Sequence, residues 1–244
     1  MSIPKKIHYC WFGGASLPRL AKKCMKSWKK YCPDYEIICW NEHIFDISCN
    51  QYVKEAYEAG QWAFVSDYVR LKTVYEYGGI YFDTDVELIK PVEPLLSGKG
   101  YMGFDEKGIV ATGLGFAAEA GNEIIGEMLK DYDHIHFVLP DGSYDMTPCP
   151  DRNTETLVRL GMDIENTNQT FMNMKFLPQD YLCPMDYYTG RTKKTENTYS
   201  IHHYCASWTS PVTKRTTRMK RIVGLRMYDK LYGKFLHKFK WLEW

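Results

Sequence analysis

Asp83 and Asp85 stand two apart in the run Tyr81-Phe82-Asp83-Thr84-Asp85-Val86-Glu87. Read as a strand, the period of two puts Tyr81, Asp83, Asp85 and Glu87 on one face, and Ile80, Phe82, Thr84, Val86 and Leu88 on the other. Carboxylates about 7 Å apart on one strand face repel in a dry site, and a hard divalent cation with oxygen ligands compensates them. Mg²⁺ or Mn²⁺ suits such a shell. Asp67 and Arg70 lie three apart on a stretch of helical pattern and so share a face, with Ser66 beside them. Such a pair is either a surface ion pair worth about 0.3 kcal/mol or a bracket for a polar ligand, with the carboxylate accepting hydroxyls. His202 and His203 point to opposite faces if their segment is a strand, so one of them at most reaches a metal.

These residues need elements to hold them. Ile7 to Phe12 alternate and end at Gly13-Gly14, which predicts a first strand. Leu20, Ala21, Cys24, Met25 and Trp28 recur at helical spacing with lysines mostly opposite, which predicts an amphipathic helix ending near Pro33. Tyr35 to Trp40 suits a buried strand, and helices are expected over 51–59 and 63–77. Gly78-Gly79 stops the last of these before an alternating strand from Ile80 to Ile89. Strands and helices thus interleave, as in α/β folds with a largely parallel sheet, and the acids fall at a strand's carboxyl end, where such sheets bind ligands. The second half is less regular: a helix is expected over 122–132, a proline-rich loop over 140–150, a helix over 154–160 and a strand over 198–203.

The 244 residues are 45% hydrophobic and 25% charged, which excludes global disorder and allows one sizeable core. Thirty-one Lys and Arg against 30 Asp and Glu leave a net charge of +1, so no nucleic-acid partner is expected. The eight cysteines contain no C-x-x-C pair, and the N-terminus has no apolar run behind its lysines, so reduced thiols and a cytoplasmic chain without a secretory leader are expected. No apolar stretch is long enough to span a bilayer.

The run Ala63-x-x-Ser66-Asp67-x-x-Arg70-Leu71, then Tyr75-Glu76-x-Gly78-Gly79-Ile80-Tyr81-x-Asp83-x-Asp85, resembles the DXD sugar-binding region of glycosyltransferase family 32. That family includes bacterial capsular-polysaccharide glycosyltransferases and the fungal initiating mannosyltransferases. Ile3-Pro4-Lys5-x-Ile7-His8-x-x-Trp11-x-Gly13 looks like its opening strand, and Ile201-His202-His203-Tyr204-x-Ala206-Ser207-Trp208 like its closing signature. The resemblance implies a GT-A type α/β fold, with a mostly parallel Rossmann-like sheet flanked by helices. It implies a nucleotide-sugar donor, a UDP-hexose first, a Mn²⁺ or Mg²⁺ cofactor, and transfer with retention of configuration to a glycan acceptor. By the same resemblance Asp85 holds the metal, and Asp83 contacts the ribose and reaches the metal directly or through water. Asp67 and Arg70 hold the donor sugar, Trp11 stacks on the base, and Ser207 and Trp208 contact the diphosphate. The faces of the strand put Tyr81 in the same pocket, with Ser66 beside the sugar-holding pair. His203 is favoured over His202 as a third metal ligand, because related GT-A enzymes follow a metal His with an aromatic, one residue and a small residue.

Two competing readings follow from the same chain. Gly113-x-Gly115-x-x-Ala118 fits a dinucleotide-binding turn and hence an NAD(P)-dependent oxidoreductase; a catalytically silent sugar-binding module is the other. The tail from Lys214 to Lys240 carries ten Lys and Arg against one Asp, interleaved with apolar and aromatic residues. That pattern predicts a basic amphipathic helical segment on an anionic membrane surface, where a lipid-linked oligosaccharide acceptor would be presented for capsule or exopolysaccharide synthesis. The expected organisation is a catalytic domain over 1–212, with a nucleotide-sugar half to about 118 and an acceptor half beyond it, then the segment 213–244. The expected location is the inner face of the cell membrane.

Overall fold

The structure, a computed structural model, describes residues 2–187, 189–205 and 219. The elements within them are β1 (Lys6–Cys10), α1 (Arg19–Tyr31), β2 (Glu36–Trp40), α2 (Gln51–Glu58), α3 (Trp62–Tyr77), β3 (Gly79–Tyr81) and β4 (Val86–Leu88). They continue with β5 (Gly100–Gly103), β6 (Phe116–Ala118), α4 (Glu123–Lys130), α5 (Cys149–Arg159), β7 (Gln169–Phe171), β8 (Met174–Leu177), α6 (Gln179–Leu182) and β9 (Ser200–His202). The central sheet has the order β2-β1-β3-β6-β5-β8-β7. β1, β2 and β3 run parallel, and so do β5 and β8, while β6 and β7 are antiparallel to their neighbours. Five of the seven strands therefore point one way, as the expected GT-A type α/β fold requires.

Two apolar layers cover the sheet. One contains Val53, Val65, Val69 and Leu71 of α2 and α3 with Ile125 and Met128 of α4; the other contains Cys24 and Trp28 of α1 with Leu182 of α6. The chain leaves β1 for one layer and returns to β3 from the other, so a crevice opens beyond the carboxyl ends of β1 and β3. α3 is buried almost all round, between the sheet, α2 and α4. This is why its sequence shows no clear polar stripe.

Gly78 and Gly79 take φ values of +62° and +114°. A Cβ on Gly79 would lie 2.8 Å from the Lys6 carbonyl oxygen, so only glycine lets β3 lie this close to β1. His8 fastens the same turn. Its Nε2 bonds the Gly78 carbonyl at 2.9 Å while its Nδ1 accepts from Trp40 Nε1 at 3.1 Å. Burial lowers the His8 pKa, and the neutral ring satisfies both bonds.

The strand expected from Ile80 to Ile89 is in fact two strands in different sheets. The main-sheet strand β3 ends at Tyr81, and among the described residues β4 pairs only with β9. Between them Val86 N–H bonds the Asp83 carbonyl at 3.0 Å, closing a turn over Asp83-Thr84-Asp85. Alternation failed to reveal this break because Phe82, Val86 and Leu88 are all buried on either side of it. The second helix of the C-terminal half begins at Cys149 and not near Thr154, since Pro150 sits in its first turn, where proline costs no hydrogen bond. The region of the expected boundary at 212, and the tail 213–244 apart from Met219, lie outside the described residues.

Candidate active site

Asp83, Asp85 and His202 each present a ligand atom within 4.8 Å of the others, the one such group of metal-binding side chains among the described residues. The turn after β3 supplies the two acids. The β4–β9 ribbon supplies the imidazole, because its register sets Val86 opposite His202. α1 holds that ribbon in place: Trp28 Nε1 donates to the Val86 carbonyl at 2.7 Å, and Ser27 Oγ accepts from Leu88 N–H at 2.9 Å.

The segment after β9 wraps around Asp85. His202 Nε2 lies 3.2 Å from Asp85 Oδ1, Cys205 N–H donates to Oδ2 at 2.7 Å, and His203 N–H bonds the Asp85 carbonyl at 3.1 Å. Tyr204 makes this return possible with φ at +49°, a conformation that non-glycine residues seldom adopt and that gathers at functional sites. Burial alone would raise the Asp85 pKa, yet His202 and the Cys205 amide hold it well below the usual carboxylate range. Burial likewise opposes protonation of His202, and Asp85 overcomes it to raise the imidazole pKa.

The sequence expectation for the histidines is reversed in the geometry. His203, the favoured ligand, turns away: its Nε2 meets Glu87 Oε2 at 2.8 Å, and Glu87 also takes Lys23 at 2.8 Å. Strand alternation allows one of the pair to face Asp85, and the β9 register selects His202.

Arg70 is the centre of the neighbouring cluster. It is 6% exposed, and its NH2 lies 3.0 Å from Asp67 Oδ1 and 3.2 Å from Asp83 Oδ1, with the guanidinium carbon 5.1 Å from the Tyr81 ring centre. The pair Asp67 and Arg70 is thus no surface ion pair. Burial pushes Asp67 up to about 6 against the pull of Arg70, whereas the carboxylates, Asp83 foremost, keep Arg70 charged in spite of its burial. Tyr81 O–H donates to Asp83 Oδ1 at 2.8 Å, so the tyrosine expected in the pocket orients one of its acids. Ser66 is turned along its own helix, its Oγ donating to the Trp62 carbonyl at 2.8 Å. Trp11 follows β1, half-buried, its indole N–H bonded to the Ala15 carbonyl. Ser207 and Trp208 lie outside the described residues.

Gly113 belongs to the run that fits a dinucleotide-binding turn, but its place is different. A Cβ there would stand 2.6 Å from Asp83 Oδ2 and 3.2 Å from Arg70 NH1, so the Thr112–Leu114 turn backs directly onto the acids. The motif runs on into β6, a strand between β3 and β5, and not into a helix. A dinucleotide turn needs a helix N-terminus for its pyrophosphate, so that reading is set aside. No disulfide links the cysteines among the described residues.

Residues 18–101 match the family described as glycosyltransferase sugar-binding region containing DXD motif. The match holds the Asp67–Arg70 pair and both acids, as the resemblance implied. No curated protein matches the chain at a significant level. Among solved structures, the chain is similar to the PaToxG glycosyltransferase at 19% identity and a TM-score of 0.48, over 66% of this chain and 70% of that one. It is also similar to a glycosyltransferase involved in the glycosylation of the major capsid of PBCV-1, at 12% identity and a TM-score of 0.47, over 88% of this chain and 100% of that one. A third is the galactosyltransferase LgtC in complex with donor and acceptor sugar analogs, at 14% identity and a TM-score of 0.41, over 88% and 93%.

Proposed function

We propose that this chain, which carries a glycosyltransferase sugar-binding region over residues 18–101, moves a hexose with retention from a nucleotide sugar, a UDP-hexose first, to a glycan acceptor. The observation that carries the reading is the meeting of Asp83, Asp85 and His202 within 4.8 Å beside the buried Asp67–Arg70–Asp83 network. The donor set fits a divalent ion of the Mn²⁺ or Mg²⁺ kind: two carboxylates and one imidazole, with Asp85 held ionised by its surroundings. When bound, such a cation supplies positive charge to the diphosphate that leaves.

The chain's own groups do the rest. Arg70 cannot leave its two carboxylates, so it fixes Asp83 and Asp67 at a set separation. Asp67, with a pKa raised to about 6, is a carboxyl that accepts hydroxyl donors at neutral pH. Trp11, at the carboxyl end of β1, offers a ring for the base in the same crevice. The acceptor class we assign is a lipid-linked oligosaccharide of capsule or exopolysaccharide synthesis, on the basic amphipathic pattern of the tail.

The test is release of hexose from UDP-hexoses without acceptor, in Mn²⁺ and in EDTA. Asp83→Asn and Asp85→Asn should each lower turnover by about a hundredfold or more, comparable to losing a charge-stabilising group elsewhere. Full turnover of both variants in EDTA would sink the reading. A chain that binds the nucleotide sugar yet never releases the hexose is instead the silent binding module.

A further inference from the structure

Among the described residues, five buried side-chain atoms have no hydrogen-bond partner, and three of them belong to α5 and to the end of α4, which pack against each other. They are Tyr132 Oη just after α4, and Arg152 Nε and Asn153 Oδ1 on α5. Tyr132 and Asn153 are each 1% exposed. Arg152 lies over the rings of Tyr132 and Tyr52 at 5.9 and 5.8 Å. Buried polar groups are paired almost without exception, so three orphans together call for a partner from outside the chain.

The place adjoins the sugar-holding pair. Asn153 Nδ2 donates to Thr112 Oγ1 at 3.0 Å and to Cys149 Sγ at 3.2 Å, and Cys149 bears in turn on the Asp67 carboxyl, opposing the rise of its pKa. Thr112 precedes Gly113, which abuts Asp83. If the amide of Asn153 were turned over, its NH₂ would be the orphan in place of its oxygen, so one polar atom stays unpaired either way. The unmet set comprises a hydroxyl, a guanidinium N–H and an amide atom. That mixture matches vicinal hydroxyls, which both donate and accept, better than it matches a phosphate or an apolar group.

We infer that Tyr132, Arg152 and Asn153 receive hydroxyl groups of the donor's hexose beyond Asp67, and that they set which epimer is accepted. This rests on the transferase reading above. A site built to hydrogen-bond a hydroxyl discriminates because the wrong epimer leaves its buried groups unpaired.

The experiment titrates UDP, UDP-glucose, UDP-galactose and GDP-mannose calorimetrically into the full-length chain in Mn²⁺, for wild type, Asn153→Ala and Tyr132→Phe. Wild type should prefer one UDP-hexose over its epimer. Both variants should keep wild-type affinity for UDP, bind the preferred sugar about two- to tenfold more weakly, and narrow the preference. Tyr132→Phe should melt no lower than wild type, since it removes a buried hydroxyl that has no protein partner. The inference is overturned if both variants keep the preference, if UDP weakens by the same factor as the sugar, or if Tyr132→Phe melts lower with preference intact. It is overturned alone if wild type binds all UDP-hexoses equally. If wild type binds no nucleotide at all, the transferase reading falls with it.

Discussion

At the scale of single residues, Arg70 decides how the site is held. The same i,i+3 pair on a solvated helix face would contribute a few tenths of a kcal/mol, whereas here it is sealed between two carboxylates and an aromatic ring. Removing one member of a buried ionic network strands the others, at a cost of about 3–5 kcal/mol. Arg70→Ala should therefore lower the unfolding free energy by about that amount, read from urea denaturation; a change below about 1 kcal/mol would mean that water reaches Asp67 and Asp83 freely.

At the scale of elements, two connections carry the arrangement. The Thr112–Leu114 turn can pack against Asp83 only because residue 113 has no side chain. Gly113→Ala should displace the carboxylate and weaken Mn²⁺ affinity by about ten- to a hundredfold in an electron paramagnetic resonance titration, a range typical of lost support behind metal ligands. An unaltered affinity would show that Asp83 can shift at no cost. The second connection is the hairpin closed by Val138 and Tyr144, which brings Asp145 to Arg152 and hangs on Glu55 of α2. Glu55 accepts from Phe137 N–H at 2.8 Å, Val138 N–H at 3.0 Å, Gln51 at 2.8 Å and the His136 ring at 2.8 Å. Burial opposes its ionisation, but these donors bring its pKa down to about 2 from an ordinary 4.5. A pKa depressed in the folded state gives stability that is present above about pH 4.5 and is lost as pH falls through about 2. Glu55→Gln should cost about 2–3 kcal/mol at pH 7, and that difference should vanish near pH 2; a penalty independent of pH would refute the assignment.

At the scale of the whole molecule, the buried residues of the two apolar layers run, among the described residues, from Ile7 to Cys183. A chain ending after Pro211 keeps all of these residues, and the expected outcome is that it stays folded and keeps donor hydrolysis. Among the described residues no helix is long and apolar enough to cross a membrane. Our proposal that the tail docks on a membrane rests on its ten Lys and Arg, each worth about 1 kcal/mol near an anionic surface. Flotation with anionic liposomes at low salt should carry the full chain and leave the shortened one behind. Unfolding on truncation, or a full chain that ignores the liposomes, would make the tail part of the body.

Sequence alone determined the order of elements up to β3, the α/β class and the grouping of Asp67, Arg70, Asp83 and Asp85, because these follow from local periodicity and from fixed spacing along one chain. It also determined that one histidine of the pair could face the acids. Which one it was depended on the register between β4 and β9, where residues more than a hundred positions apart meet, and local alternation carries no such information. The break between β3 and β4 was invisible for a related reason: a turn buried on both sides keeps the apolar pattern of a strand. The place of Gly113 against Asp83, the sealing of Arg70 and the orphaned atoms on α5 depend on how layers close over one another. Only the folded chain decides those distances.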